Sequence, residues 1–371
     1  MSRTLGIINF EEKHVNVEGL SLYRPIPSIS FCGRFRLIDF VLSNMSNSNI
    51  SNIHIHVNRK PRSVYSHVGT GRHYNINSKR GKITIMHGEV SQRTDIYNTD
   101  INSFLDNLEF IVNASEEYVL IAPSYFVYAQ NYREMIDHHI KSDADITVLY
   151  KSTDEAKEKF IECNTIAFDS NKQVTKIDKN MGRYKSRNIL LDCYVMKKTL
   201  FVDLIRKAHN TSSLYWFIDI VKDMLDDLRI EAYSLRQEVI AINNLNQFYR
   251  AHMSMIDYTY ARNFFHKTWP ILTRTNDSPP VLYGDSSKIK NSSIANGSKI
   301  YGTVENCFIG RNVVIDKNAI VKNSVILAGV HIGEGAYLDH TVVDRGATVK
   351  VVKELVGSDK NIIYVNRYDV I

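Results

Sequence analysis

From Leu282 onward, aliphatic residues return every five or six positions, with one longer step after Ile300: Ile289, Ile294, Ile300, then Ile309, Ile315, Ile320, Ile326, Ile332, Leu338, Val343 and Val349. An α-helix buries every third or fourth residue and a half-buried strand every second, so neither accounts for a step near six. A parallel β-helix does, because each hexad forms one side of a coil and turns one aliphatic side chain into the stack. Small and polar residues, among them Gly302, Gly310, Gly329, Gly333 and Gly346, fill the intervals. The repeat is short and its end coils expose sheet edges, which favours covering by another subunit or by the terminal segment.

The preceding two thirds has a different rhythm. Apolar runs at 51–57, 118–122, 144–150 and 189–196 read as strands. Helix patterns at 37–48, 101–113, 132–142, 198–207 and 219–228 lie between them. That alternation predicts an α/β domain with a mainly parallel sheet. An aromatic-rich stretch, 248–265, reads as one further helix, and Trp269-Pro270 with Pro279-Pro280 marks a linker. The linear division is therefore 1–247, 248–281 and 282–371.

Composition excludes several classes. No run of about eighteen apolar residues predicts a membrane span. The start, Met1 to Ile8, reads as a buried strand and not as a signal peptide, so a cytoplasmic protein is expected. The net charge of +6 is mild and the basic residues are dispersed, which gives no nucleic-acid platform. Cys32, Cys163, Cys193 and Cys307 are too scattered for a metal site or a disulfide framework. His54 and His56 alternate with Ile53, Ile55 and Val57, as a strand with one polar and one buried face would give.

Three stretches carry a resemblance. Residues 30–50 read SFCGRFRLIDFVLSNMSNSNI, 67–81 read HVGTGRHYNINSKRG, and 119–132 read VLIAPSYFVYAQNY. They are similar in length and frame to three segments of the ADP-glucose pyrophosphorylases (glucose-1-phosphate adenylyltransferases). That resemblance implies a Rossmann-like nucleotidyltransferase domain followed by a left-handed parallel β-helix of hexapeptide repeats. It also implies a reaction in which ATP and glucose 1-phosphate, with Mg²⁺, give ADP-glucose and pyrophosphate.

The family's chemistry depends on positioning and charge neutralisation, and this chain departs from its pattern at each part. The glycine-rich phosphate loop is replaced by Asn9 to Asn16, with Glu11 and Glu12 where phosphates would lie. Ile26 stands at a lysine position. Tyr125 stands at the first metal aspartate, and a phenol with a pKa near 10 does not supply that charge at neutral pH. Ala241 stands at the second metal aspartate, and Tyr215 replaces an aspartate of a further segment in which Asp219 survives. Lys179, with Asp178 beside it, matches the family's sugar-phosphate segment.

Arg24, Arg36 and Arg345 match the basic residues of the family's anionic effector site, while Tyr23 and Ile26 replace lysines there. The resemblance is strongest to the GlgD-type non-catalytic subunits that pair with a catalytic pyrophosphorylase subunit. It implies a hetero-tetramer, an anionic or sugar-phosphate effector, no metal on this chain, and a role in glycogen synthesis. Residual adenylyltransferase activity is the alternative. A hexapeptide-repeat acyltransferase, using His331 or His340, is a third reading.

Overall fold

The computed structural model describes residues 3–9, 15–57, 59–76, 81–88 and 98–371. Of the substituted phosphate loop, Asn9 to Asn16, residues 10–14, with Glu11 and Glu12, lie outside them. Its contacts divide the chain into two compact units. Met1–Val15, Ile38–Ala241 and Lys267–Leu272 form the first; Asn16–Leu37, Ile242–His266 and Thr273–Ile371 form the second. This differs from the linear boundaries at 247 and 281, because two distant segments pack with the repeats. Arg24 pairs with Asp344, and the Tyr249 hydroxyl donates to the Asn323 carbonyl at 2.7 Å.

The first unit is built on a nine-stranded sheet. Its strands are β1 (Thr4–Asn9), β2 (Asn52–His56), β3 (Lys82–Met86), β4 (Tyr118–Pro123), β5 (Ile146–Thr153), β6 (Asn164–Phe168), β7 (Val174–Lys179), β8 (Arg187–Lys197) and β9 (Ile230–Ser234). The order is β7-β6-β8-β4-β1-β2-β3, with β5 beside β8 and β9 beside β5. β4, β1, β2 and β3 are parallel, as are β5 and β9. β8 runs antiparallel to β4, β5 and β6, and β7 antiparallel to β6. The sheet is mixed, which corrects the mainly parallel expectation. Parallel neighbours need a crossover of a dozen or more residues, usually a helix; no helix occurs between β5 and β8.

β1 is buried along its whole length, as a central strand covered on both faces must be. Gly6 lets the helix Leu37–Asn47 approach it: a Cβ there would lie 2.8 Å from the Met45 sulfur. His54 and His56 correct another expectation. Both are buried along with Ile53 and Ile55, so their face of β2 is covered too. Helix Tyr132–Ser142 shows the local logic well. The Asn131 side chain caps the Arg133 N–H, Tyr132, Met135, Ile136 and His139 form the buried stripe, and Asp143 closes the helix in a left-handed conformation. The expected helix 101–113 is two, Asp100–Asp106 and Leu108–Val112.

In the second unit, the expected helix 248–265 is also two, Leu245–Ser254 and Tyr258–Ala261. Asp257 divides them, because its carboxylate caps the Thr259 N–H at 2.8 Å and starts a new turn. The repeats form three five-stranded parallel sheets, each taking every third strand, and coil as a left-handed β-helix. Lys288 faces Thr303, which faces Ile320, so a coil takes 15 or 17 residues.

Ile300, Ile309, Ile315, Ile326, Ile332, Leu338, Val343 and Val349 point into the stack as the spacing predicts. Ile320 does not; Ala319 and Val321 on either side are the buried residues. At one corner of successive coils Asn291, Asn306, Asn323 and His340 all take positive φ, between 42° and 52°. Asparagine tolerates that region because its short amide bonds locally. Gly302 serves a tight approach, since a Cβ would lie 2.4 Å from the Ala319 carbonyl oxygen.

Candidate functional site

Open α/β sheets place ligands beyond the carboxyl ends of their parallel strands. Here that edge is formed in register by Asn9 of β1, His56 of β2 and Pro123 of β4. The Asn9 amide donates to Asp100 Oδ2 at 3.1 Å, and Asp100 Oδ1 accepts the N–H groups of Ile101 and Phe217. Burial pushes the Asp100 carboxyl up to about 7. Asp100 thereby ties the end of β1 to the start of the helix Phe217–Asp223. Sequence reading passed over it, since a single aspartate at a helix start reads as a cap.

Beyond β4 the chain pairs Phe126–Val127 with Ile240–Ala241, and Ala241 is the direct partner of Phe126. The fold therefore brings together the segments of Tyr125 and Ala241, the two positions expected from the sequence resemblance to stand at the family's metal aspartates. Tyr125 is 1 % exposed, and its hydroxyl donates to Asp192 Oδ2 at 2.5 Å. Asp192 sits in a bulge of β8 with φ 47° and also accepts from Asn164 at 3.0 Å and Tyr194 at 3.4 Å. Mg²⁺ takes hard oxygen ligands with one or two carboxylates. A phenol whose proton is engaged on Asp192 and the methyl group of Ala241 do not fit it. Among the described residues no group of three or more His, Cys, Asp or Glu side chains is placed to hold a metal ion.

The other sequence candidates lie apart. Lys179 ends β7 opposite Asn164, and its side chain is exposed and bears no ion pair among the described residues. Asp178 is engaged by Lys176 at 2.8 Å. The Tyr215 hydroxyl donates to Asp223 at 2.8 Å, which raises its pKa, and Asp219 accepts the Trp216 N–H at the helix start.

In the second unit, Arg24 is buried and donates to both oxygens of Asp344, at 2.7 and 2.5 Å. Tyr364 also donates to Asp344, at 2.8 Å. Arg345 is exposed, and its backbone N–H donates to Asp344. Arg36 is half-buried on the hairpin formed with Ser30–Phe31. Both oxygens of an internal carboxylate thus engage one nitrogen of the Arg24 guanidinium, a charge-assisted contact of the kind an anion would make.

The residues that carry the resemblance have a shared structural role in the first unit. Asp39 accepts from His67 and from Tyr74, each at 2.6 Å. Asn44 donates to the Tyr128 carbonyl and accepts from the Gln130 N–H and the Trp269 indole. Ser48 accepts from the Tyr132 N–H at 2.8 Å. Helix Leu37–Asn47 and the residue that follows it therefore bind all three stretches together through buried hydrogen bonds.

Comparison with known proteins agrees with this scaffold. Residues 17–237 match the nucleotidyl transferase family model, and the chain belongs to that family. Residues 282–368 match the GlmU-like C-terminal hexapeptide model. Among individual proteins, the chain is similar to the glucose-1-phosphate adenylyltransferase of Pseudothermotoga lettingae, 29% identical over 80% of this chain and 70% of that one. The enzyme of the same name from Fervidobacterium nodosum is 24% identical over 94% of this chain and 85% of its own. That from Bacillus cytotoxicus is 26% identical over 90% and 89%.

Proposed function

We propose that this chain is a non-catalytic regulatory subunit. It assembles in the cytoplasm, in a hetero-tetramer, with a catalytic glucose-1-phosphate adenylyltransferase, and tunes the formation of ADP-glucose for glycogen synthesis. The observation that carries the reading is the pairing of the Tyr125 and Ala241 segments, which sets close together, with a carboxylate at neither, the two positions that resemble the family's metal aspartates. Removing one electrostatic group from a transition-state site costs about 10²–10³ in rate; here two are replaced. The buried hydrogen bonds of Asp39, Asn44 and Ser48 support it from the other side, since they hold together the scaffold that a subunit acting through its contacts needs. A regulatory effect needs a coupling of about 1–3 kcal/mol between the subunits. An anionic effector would meet the exposed Arg345, with Arg36 as a further candidate, whereas Arg24 is engaged by Asp344. The test is ADP-glucose formation by the catalytic partner with and without this chain. Unchanged rate, substrate affinity and effector response would sink the proposal.

Residual adenylyltransferase activity is the second reading, and Asp192 favours it. This carboxylate sits within a hydrogen bond of the first metal position. Mg²⁺-dependent turnover by the purified chain alone, abolished in Asp192→Asn, would support it.

A further inference from the structure

The second unit holds an open cavity of about 780 Å³, within the size range of small-molecule sites. One wall is the helical pair 245–254 and 258–261; the other is the asparagine corner of the coils. Along that corner Asn291 donates to Asn306 at 2.8 Å, Asn306 to Asn323 at 3.2 Å, and Asn323 to Asp339 at 2.9 Å. A primary amide has two N–H donors and a two-lone-pair acceptor, so each rung keeps hydrogen-bonding capacity beyond the ladder. His340 takes the next rung and is fixed between Asp339 at 2.7 Å and Asp359 at 3.1 Å.

Among the described residues no lysine or arginine lines the cavity, whereas Asp257 and Asp359 do. A phosphate or carboxylate ligand would meet repulsion and no charge-assisted donor. The wall also carries two phenol rings. Tyr249 is buried and its hydroxyl is held on Asn323; Tyr258 is 76 % exposed. Paired amides and carboxylates exchange hydrogen bonds with vicinal hydroxyl groups, and an aromatic face packs on the C–H face of a sugar ring. We propose that this cavity binds a neutral saccharide. No part of the nucleotidyltransferase scaffold contributes to it.

The probe is maltoheptaose, titrated calorimetrically into the full chain; this choice of an α-glucan rests on the proposed function, while the saccharide class rests on the cavity. Saturable binding is expected. Tyr258→Ala and Asp359→Ala, both exposed positions, weaken it at least tenfold without lowering Tm, and Tyr184→Ala in the first unit leaves it unchanged. Cello-oligosaccharide binding at the same residues, with none for maltoheptaose, upholds the site and removes only the glucan assignment. Absence of binding by either sugar overturns the proposal, as does binding that survives both variants. Equal competition by glucose 1-phosphate also overturns it. So does loss of assembly with the catalytic partner in these variants without saccharide binding, which makes the surface a protein contact. None of these outcomes touches the regulatory assay, which reads the partner's turnover.

Discussion

The pair Arg24–Asp344 offers the sharpest perturbation. Arg24 resembles an effector-binding arginine in sequence, yet in the structure its side chain is 8 % exposed and that of Asp344 0 %, with the two 2.5 Å apart. Taking one partner away leaves the other as a buried, uncompensated charge, which costs about 3–5 kcal/mol. For a domain of 150–250 residues each kcal/mol moves Tm by roughly 2–4 °C, so Arg24→Ala lowers it by about 10 °C. Asp344→Leu behaves similarly, although Tyr364 then also loses an acceptor. The double variant Arg24→Met/Asp344→Leu removes both charges and returns to within about 1 kcal/mol of the parent, because well-packed apolar replacements of buried pairs are often neutral or better. Urea unfolding of the parent, Arg24→Met, Asp344→Leu and the double variant, closed as a double-mutant cycle, gives the coupling directly. A cost below about 1 kcal/mol for Arg24→Ala is the range of exposed ion pairs. That result, joined to loss of phosphate-induced stabilisation, would refute the structural role and return Arg24 to ligand binding.

Three further outcomes are expected. Burial holds His54 down at about 4 and His56 at about 3, against an ordinary value of 6.5. The unfolded chain therefore binds more protons as pH falls below 6.5, and stability drops by about 2 kcal/mol per histidine between pH 6.5 and 5. His56→Leu flattens that dependence in a urea-midpoint series, and an unchanged slope would count against it. Tyr125→Phe deprives buried Asp192 of one of its donors and lowers stability by about 1–3 kcal/mol, read by differential scanning calorimetry. Gly302→Ala forces a Cβ against the Ala319 and Asp316 carbonyls, which are backbone and yield little, whereas Gly6→Ala meets the movable Met45 sulfur. The first lowers stability by about 1–3 kcal/mol and by more than the second, measured by thermal melting.

Much of the fold was legible because its periodicities are local. The near-six step announced the β-helix, and the 3.6-residue stripe of 132–142 announced its helix to the residue. Errors arose where a neighbour distant in sequence decides. Nothing in ILLDCYVM says that β8 lies antiparallel to three strands. Alternation in β2 suggests a wet face, yet His54 and His56 are buried as Ile53 and Ile55 are, so elements packed on the sheet cover both faces. Ile320 fits the spacing, yet its coil is a residue out of step with the simple count, and Val321 enters the stack instead.

By itself, then, the sequence determined that no carboxylate stands at 125, 241 or 215: residue types are identities, and an alanine or a tyrosine is not a carboxylate in any fold. It determined the repeat domain for a similar reason, since a β-helix is quasi-one-dimensional and each hexad packs on neighbours a coil away. Only the tertiary structure decided what those substitutions became. It placed Tyr125 on Asp192, gave the Arg24 charge to Asp344 across 320 residues, and joined three motif stretches through Asp39, Asn44 and Ser48. Hydrogen bonds and ion pairs between buried groups follow proximity in space. That proximity is set by the packing of whole elements, which a linear pattern does not contain.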